Sequence, residues 1–411
     1  MLMRYAEKVW RNELGMEGLL NGDLPPETAF EVADDVAVVP TFANVIAFRT
    51  GEGLVLFDTG DPATARRNHR AIRAWCADPV RYAIFSHGHI DHVFGVGPFD
   101  DEAEENGWDR PVVIAHEAVK ARFERYALTK DYNQVVNRRQ FANPRFRWPD
   151  SYRYPDVTYR EHHHLRSGDL TFELHYARGE TDDHTWAYVP EREIILPGDL
   201  FIWNSPNCGN PQKVQRYPAE WAAALRAMAE LDASLLIPGH GVPIAGKERV
   251  RTALTDVAEY LESLLSQTLE LMNRGARLDE IIHTVRPPED LAAKPYLRAA
   301  YDEPEFIVRN IWRLYGGWWD GDPASLKPPR SDDFAAVLAD LAGGADVLAD
   351  RARRALADGE PRIAASLIEL AYRAAPKDDG VRDEHRRVFT ALSEAATSLM
   401  ARGIYLAAAN G

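Results

Sequence analysis

The sequence predicts an α/β domain followed by an all-α domain. Between residues 30 and 245, short β-rich segments alternate with helical ones, and a cluster of histidines and an aspartate directly follows one of the apolar strands. After residue 248 the strand signals stop and only helical periodicity is found. We therefore predict a mixed domain over residues 1–248 and a helical domain over residues 249–411.

The mixed domain begins with three predicted strands, VAVVP, NVIAF and GLVLF, the last two joined by a hairpin turn. Helices are predicted at 62–78 and near 117–127. A predicted strand, RYAIF, follows the first helix, and another, VVIAH, precedes the second. Residues 128–160 show no clean periodicity, which favours an ordered loop that lines a pocket. Further strands are predicted at LTFELHYA, at 186–199 and at LLIPGHG.

One part of the helical domain, residues 349–379, has the pattern of a tetratricopeptide hairpin. Alanines stand at close-contact positions of two helical segments, and Asp-Gly stands between the segments. A repeat of about 34 residues is not sustained along the chain, so we predict a single hairpin of this type and not an array.

Charge and cysteine content restrict the class of protein. The 411 residues include 48 basic and 63 acidic side chains, a formal net charge of −15, which argues against nucleic-acid and anionic-lipid partners. An anionic substrate remains compatible, because a metal site reverses the local field. Two cysteines, Cys76 and Cys208, predict free thiols in a reducing compartment. With neither a secretory signal nor a stretch of ~18 apolar residues, we expect a cytoplasmic protein without a membrane span.

The strongest chemical signal is the segment His87-Gly88-His89-Ile90-Asp91-His92. Imidazole and carboxylate are ligands that zinc prefers at neutral pH. Residues two apart in a tight loop can face one metal while Asp91 and His92 face another, and Gly88 permits the tight turn. The segment therefore predicts a metal site, whereas a solvated polar loop is the alternative.

One loop cannot complete two coordination spheres, so further ligands are expected at other strand ends. Asp199 in LPGDL and His240 in IPGHG each follow a strand, and Glu180 and His184 lie in ARGETDDHTW. Taken alone, Asp199 is compatible with a turn or capping residue and His240 with a structural histidine.

The ordered set HGHIDH, GET, PGD and PGHG resembles the metallo-β-lactamase superfamily over roughly residues 30–245. The resemblance implies an αββα sandwich with the site at one edge of its two sheets. It also implies two Zn²⁺ per chain, one held by His87, His89 and a third ligand, the other by Asp91, His92 and His240, with Asp199 between them. Asp58, in DTG, is implied as a supporting residue.

Two features resemble the alkyl sulfatase branch of that superfamily. Most members have a histidine where RGET places Glu180, so Glu180 is the favoured third ligand and His184 its rival. The segment 307–328, with GWWDG-x-P-x-x-L, and the helices after it resemble the alkyl sulfatase dimerisation domain, which implies a homodimer.

The resemblance weakens in the loop expected to hold the sulfate group. Alkyl sulfatases carry Asn-x-x-Thr-x-Arg-Gly there; Asn207 matches, but Asn210 and Gln212 stand at the threonine and arginine positions. Lys213 and Arg216 follow closely. Because lysine and arginine are not interchangeable at a bidentate anion site, either one of these two residues has taken over the anion or the substrate is not a sulfate ester.

A further cationic wall is predicted at Arg138 in NQVVNRRQF, with a solvated basic turn as the alternative. The run His162-His163-His164 has no counterpart in the family pattern and is interpreted as a loop or strand-edge feature.

The implied activity is zinc-dependent hydrolysis of alkyl sulfate esters. Two metal ions lower the pKa of a shared water, and Asp91 and Asp199 are the catalytic carboxylates that orient it. The substrate is expected to be a small molecule, anionic or an ester, with an apolar part. Hydrolysis of another ester, a lactone or an amide, including a β-lactam-like substrate, is the alternative, and a non-catalytic helical scaffold is a third reading.

Overall fold

The computed structural model describes residues 1–16, 24–25 and 27–411. Within them, a first sheet of seven strands has the order β1 to β7. Strands β1–β4 are antiparallel, whereas β4, β5, β6 and β7 run parallel. The strands are β1 Phe30–Ala33, β2 Val36–Val39, β3 Val45–Thr50, β4 Gly53–Phe57, β5 Val80–Ile84, β6 Val112–His116 and β7 Val157–Tyr159.

The second sheet has six described strands in the order β13-β12-β11-β10-β9-β8. Only β11 and β12 pair in parallel there, and β8 forms one edge. Its strands are β8 His162–Ser167, β9 Leu170–Tyr176, β10 Thr185–Val189, β11 Ile194–Leu196, β12 Leu235–Leu236 and β13 Ile244–Ala245.

The two sheets pack face to face because alternate residues of their strands are apolar. Phe48 of β3 and Phe172 of β9 meet edge to face with ring centroids 5.1 Å apart. The outer face of the first sheet is covered by helices Ala65–Trp75 and Gly97–Asn106, through a cluster that includes Leu56.

Helices Pro218–Ala229 and Lys247–Asn273 share the core of the second sheet. Proline at the first position starts the former helix, where its missing N–H costs nothing. Helices outside both sheets complete an αββα sandwich. After β13, the described chain contains helices only. The predicted fold class is confirmed.

The remaining described chain is helical: Leu278–Thr284, Glu289–Ala292, Pro304–Gly316, Pro323–Leu326, Ser331–Ala342, Ala345–Ala357, Pro361–Ala374, Asp379–Ala395 and Leu399–Asn410. Residues 339–409 form a separate apolar core. The predicted hairpin lies there, and Gly359, with φ of 79°, turns the chain between its helices. The domain boundary at 248 stays a prediction, because helix Lys247–Asn273 packs on the second sheet.

The segment 128–160 differs from the predicted loop, since it contains helix Lys130–Gln140 directly after helix Ala118–Leu128. Helix Lys130–Gln140 buries Val136, Asn137 and Gln140, two of which are polar. It therefore lacks the apolar stripe by which a surface helix is recognised in sequence.

No helix in the described ranges is long and apolar enough to span a bilayer.

Candidate metal centre

Strand ends of both sheets meet at one edge of the sandwich. The cluster of residues 87–92 follows β5, which is parallel to β4 and β6. Asp199 and His240 follow β11 and β12, the parallel pair of the second sheet. Because parallel strands end at the same edge, segments far apart in sequence bring their polar residues together.

The first group of side chains consists of His87, His89, Glu180 and Asp199, whose ligand atoms all lie within 4.8 Å of one another. His87 Nε2 is 2.8 Å from His89 Nδ1 and 3.9 Å from Glu180 Oε2. All except His89 are buried. The group matches the set that the sequence analysis assigned to one metal.

The second group consists of Asp91, His92 and His240. His240 Nε2 lies 3.5 Å from Asp91 Oδ2. Asp199 faces this group as well, since its Oδ1 is 3.3 Å from His92 Nε2 and its Oδ2 is 3.2 Å from His240 Nε2 and 3.8 Å from His87 Nε2. One carboxylate is thus positioned between the two groups.

Asp58, at the end of β4, orients two of the histidines. It accepts hydrogen bonds from Ser86 N, Ser86 Oγ and His92 Nδ1, each at 2.7 Å. Because the Ser86 hydroxyl donates to Asp58, its oxygen accepts from His87 Nδ1 at 2.9 Å. In the neutral form of each ring, these bonds place the lone pairs of His87 and His92 on Nε2, which is the tautomer that binds metal.

Two glycines permit the close approach of these segments. A Cβ atom at Gly88 would lie 2.7 Å from Arg122 Cδ and 3.0 Å from Asp183 Oδ2. A Cβ atom at Gly239 would overlap Asp199 Oδ1. A side chain at Gly88 would disturb the contact of the histidine segment with Arg122 and Asp183, and one at Gly239 would displace Asp199.

A buried ion pair holds the histidine segment in place. Asp183 Oδ2 accepts hydrogen bonds from Arg122 Nε at 2.6 Å and from Gly88 N at 3.1 Å, and Arg122 also contacts Asp182. Arg122 and Asp183 are both buried. The pair links the histidine segment to helix Ala118–Leu128.

The pKa values of the side chains in the two ligand groups are shifted in different directions. Burial, and after it the Asp199 carboxylate, raises the pKa of Glu180 well above its ordinary value. Burial alone would raise the pKa of Asp199 too, but His240 and His92 outweigh it and hold that pKa well below the usual range. Burial, with His92 and His89 nearby, keeps the pKa of His87 well below that of free histidine. A neutral imidazole and an ionised carboxylate are the forms that bind a cation.

The residues fit a divalent metal. Among the described residues, His92 Nε2, Glu180 Oε2 and Asp199 Oδ1 are buried without a hydrogen-bond partner. Leaving such groups unpaired costs about 1–3 kcal/mol each, more for charged ones. A cation would coordinate these atoms and relieve the repulsion between the two carboxylates.

Glu180 and His184, the two candidates for the third ligand of the metal at His87 and His89, have different surroundings. Glu180 belongs to the first group, whereas His184 Nε2 accepts a hydrogen bond from the Asp199 backbone N at 3.1 Å. The His184 ring stacks on His87, with centroids 4.9 Å apart. The lone pair of His184 Nε2 is therefore already occupied by this hydrogen bond.

The loop after Asp199 brings three of the predicted substrate-binding residues to the centre. Asn207 Nδ2 donates to Glu180 Oε1, and Arg216 Nη2 lies 3.6 Å from the same oxygen. Lys213 is half-buried, and burial, followed by the charge of Arg216, lowers its pKa to about 8. The carboxylates of Asp91 and Glu180 oppose this lowering of the pKa.

Arg138 behaves differently, because its Nε donates to the Phe146 carbonyl at 2.9 Å. The structure gives no contact between Arg138 and the metal-binding side chains within the described ranges. Its role in substrate binding stays a prediction.

Residues from the helical part of the chain also reach this region, and the sequence analysis missed them. Tyr301 Oη accepts a hydrogen bond from Gln140 Nε2 at 2.9 Å, and Gln140 Oε1 accepts from Asn210 at 3.4 Å. Asp302 Oδ2 accepts from Gly209 N at 2.6 Å. No local pattern signals these contacts, since the residues lie far beyond the last ligand motif.

An apolar rim borders the centre. The Phe42 ring is 5.0 Å from the His240 ring and 5.8 Å from the Phe141 ring, edge to face in both cases. His240 Nδ1 donates to the Phe42 carbonyl, which leaves its Nε2 for the centre. Phe42 remains 37% exposed, so an apolar group can reach it from solvent.

Residues 38–240 match the metallo-beta-lactamase superfamily, and residues 277–411 match the family described as alkyl sulfatase dimerisation. A linear primary-alkylsulfatase from a Pseudomonas species is 26% identical over 87% of this chain and 72% of its own length. An (R)-specific secondary-alkylsulfatase from Pseudomonas is 25% identical over 89% of this chain and 59% of its own length.

A solved structure, that of a stereoselective inverting sec-alkylsulfatase from Pseudomonas, has the same fold with a TM-score of 0.84 at 24% identity. The match covers 93% of this chain and 65% of that one. The sandwich and its paired ligand groups define a metallo-β-lactamase-fold protein. Residues 38–240 form a domain of the metallo-β-lactamase superfamily, and the C-terminal region is of the alkyl sulfatase dimerisation type, which confirms both resemblances.

Proposed function

We propose that the protein is a zinc-dependent hydrolase of alkyl sulfate esters with two metal ions per chain. The observation that carries the proposal is the convergence of two ligand groups on Asp199 beside a cationic loop. The similarity to alkylsulfatases supports the substrate class.

We assign one ion to His87, His89, Glu180 and Asp199. The other ion is assigned to Asp91, His92, His240 and Asp199. Histidine and carboxylate ligands suit zinc. Two such ions would lower the pKa of a water between them and polarise the ester. Asp91 and Asp199 orient that water, and His184 fixes the turn that carries Asp199 through its hydrogen bond to the Asp199 amide.

The anionic head group is assigned to Arg216 and Lys213. Arg216 Nη2 is buried without a hydrogen-bond partner among the described residues, which leaves a donor for a sulfate oxygen. Both polar atoms of the Gln212 amide are likewise buried and unpartnered, so this amide supplies a further donor. Asn207 holds Glu180 and supports the loop from which these groups extend. The rim of Phe42 and Phe141 suits the apolar chain of the ester.

We further propose a homodimer, supported by the match of residues 277–411. A cytoplasmic location is proposed as well, because Cys76 and Cys208 are buried free thiols, as expected in a reducing compartment.

The test measures sulfate release from decyl sulfate by zinc-loaded and chelated protein. We expect zinc-dependent release, and a loss of at least 100-fold in kcat/KM for Arg216→Gln, since a charge-assisted anion contact is removed. Arg138→Gln is the matched control and should retain nearly full activity if Arg216 and Lys213 suffice.

A second candidate, hydrolysis of an uncharged ester or lactone, is favoured by the absence of the family's arginine at Gln212. Faster cleavage of decyl acetate than of decyl sulfate, undiminished in Arg216→Gln, would replace the sulfatase proposal with this one.

A further inference from the structure

A second set of histidines lies away from the metal centre, on the outer face of the second sheet. His162 of β8 and His175 of β9 are directly opposite each other in the antiparallel register. Their Nδ1 atoms are 3.1 Å apart. His162 is exposed and His175 is half-buried, so both rings are open to solvent on one side.

The separation of the two nitrogens matches the bite of a metal ion. With metal–nitrogen bonds of about 2.1 Å, nitrogens 3.1 Å apart subtend an angle of about 95° at the metal. A tetrahedral ion would need a separation of about 3.4 Å for the same bond length. An angle near 90° is instead that of tetragonal or octahedral coordination, which Cu²⁺ and Ni²⁺ favour with nitrogen ligands.

His175 is also held in place before any metal binds. The His175 ring stacks on Trp186 of the adjacent strand, with centroids 4.1 Å apart and an interplanar angle of 12°. Burial, and after it the neighbouring His162 ring, lowers the pKa of His175 to about 4, so this imidazole is neutral near pH 7. His163 points to the other face and stacks on Tyr159.

We propose that His162 and His175 form a binding site for a Cu²⁺ or Ni²⁺ ion, separate from the proposed catalytic metals. His164 and Glu173, paired two residues further along the strands, face the same side but lie outside the proposed ligand pair. Because β8 is the edge strand of its sheet, an ion bound by His162 and His175 links β8 to β9 and stabilises β8 against fraying.

The site is tested by titrating Cu²⁺ into zinc-loaded protein and recording its electron paramagnetic resonance. We expect wild type to bind one additional Cu²⁺ with nitrogen hyperfine structure, and His162→Ala to bind it at least tenfold more weakly. His164→Ala, an exposed histidine on the same strand and face, is the matched control and should bind as wild type does.

Equal Cu²⁺ binding by wild type and His162→Ala would overturn the proposal and leave a hydrogen-bonded histidine pair. Melting temperatures measured without Cu²⁺ distinguish this result from misfolding, because His162 is exposed and its removal should leave them unchanged. On adding Ni²⁺, the melting temperature should rise in wild type and His164→Ala by more than in His162→Ala.

Discussion

At the scale of single residues, Glu180 and Asp199 are the two carboxylates of the first ligand group. Both are buried. Like charges in one buried site repel, and the repulsion favours protonation of one carboxylate unless a cation lies between them. A metal bound as proposed would therefore be part of the charge balance of the folded protein.

Replacing Glu180 with glutamine should remove one of the two metals per chain, because the side chain keeps its size but loses its charge. Activity should fall by more than about 100-fold. Metal content after dialysis against zinc buffer is the measurement. His184→Gln is the control: it should weaken metal affinity by about 10–100-fold, as supporting residues do, yet reach full stoichiometry at saturating zinc. Loss of one metal in His184→Gln, with full stoichiometry in Glu180→Gln, would make His184 the third ligand.

The lowered pKa of Lys213, about 8, predicts a pH dependence of substrate binding. The charged form predominates below pH 8 and is lost as pH rises above it, so an anion held by Lys213 binds more weakly in alkali. We expect KM for decyl sulfate to rise about tenfold from pH 7 to pH 9. In Lys213→Met the rise should be absent, and an identical rise there would exclude Lys213 from the head-group site.

Residues of the centre differ in how well sequence predicts them. The metal-binding groups lie in four short motifs at strand ends, and the structure places all of these side chains in two adjacent groups. Arg216 was one of several cations in its loop, and only the structure shows that it is buried against Glu180. Tyr301 and Asp302 were missed because their contacts depend on the packing of distant helices.

At the scale of elements, helix Ser331–Ala342 presents an apolar face to solvent. Phe334, Val337 and Leu341 are 48%, 56% and 78% exposed, whereas Ala335 and Ala339 are buried. A contiguous exposed apolar stripe marks an interaction surface, and we place part of the proposed dimer contact here.

Phe334→Asp combined with Leu341→Asp should convert the dimer into monomers, because a charge buried at an apolar interface is unfavourable. Sedimentation velocity measures the state. Leu128→Asp, at a leucine 87% exposed on another helix, is the control and should stay dimeric. A dimer that survives the double substitution would place the interface elsewhere.

Elements with clear periodicity were predicted well, including strands β2, β3 and β4. Helix Lys130–Gln140 was not, since its buried face includes Asn137 and Gln140. Gln140 uses its amide to join Tyr301 and Asn210. Gln140, which weakens the apolar pattern of the helix, is thus the residue that connects the helix to the loop after Asp199.

At the scale of the whole molecule, the metal centre joins the two sheets. His87 and His92 follow a strand of the first sheet, while Asp199 and His240 follow strands of the second. Metals bound by both sets, as proposed, would hold the halves of the sandwich together, and metal affinity and folding stability would then be linked.

Removing the metals should therefore lower the melting temperature by several degrees. At a metal concentration 1,000 times the dissociation constant, one site contributes about 4.1 kcal/mol to the free energy of unfolding. Differential scanning calorimetry with and without chelator is the measurement, and added zinc should restore the transition. An unchanged transition in protein shown to be free of metal would contradict the linkage.

The bond from Gly209 to Asp302 joins positions 93 residues apart, and it sets an order of events during translation. At about 5–20 residues per second, a ribosome adds Asp302 some 5–20 s after Gly209. By then every predicted metal ligand, up to His240, has already been made. If the centre binds zinc as proposed, all of its ligands are therefore made before the bond to Asp302 can hold the loop after Asp199.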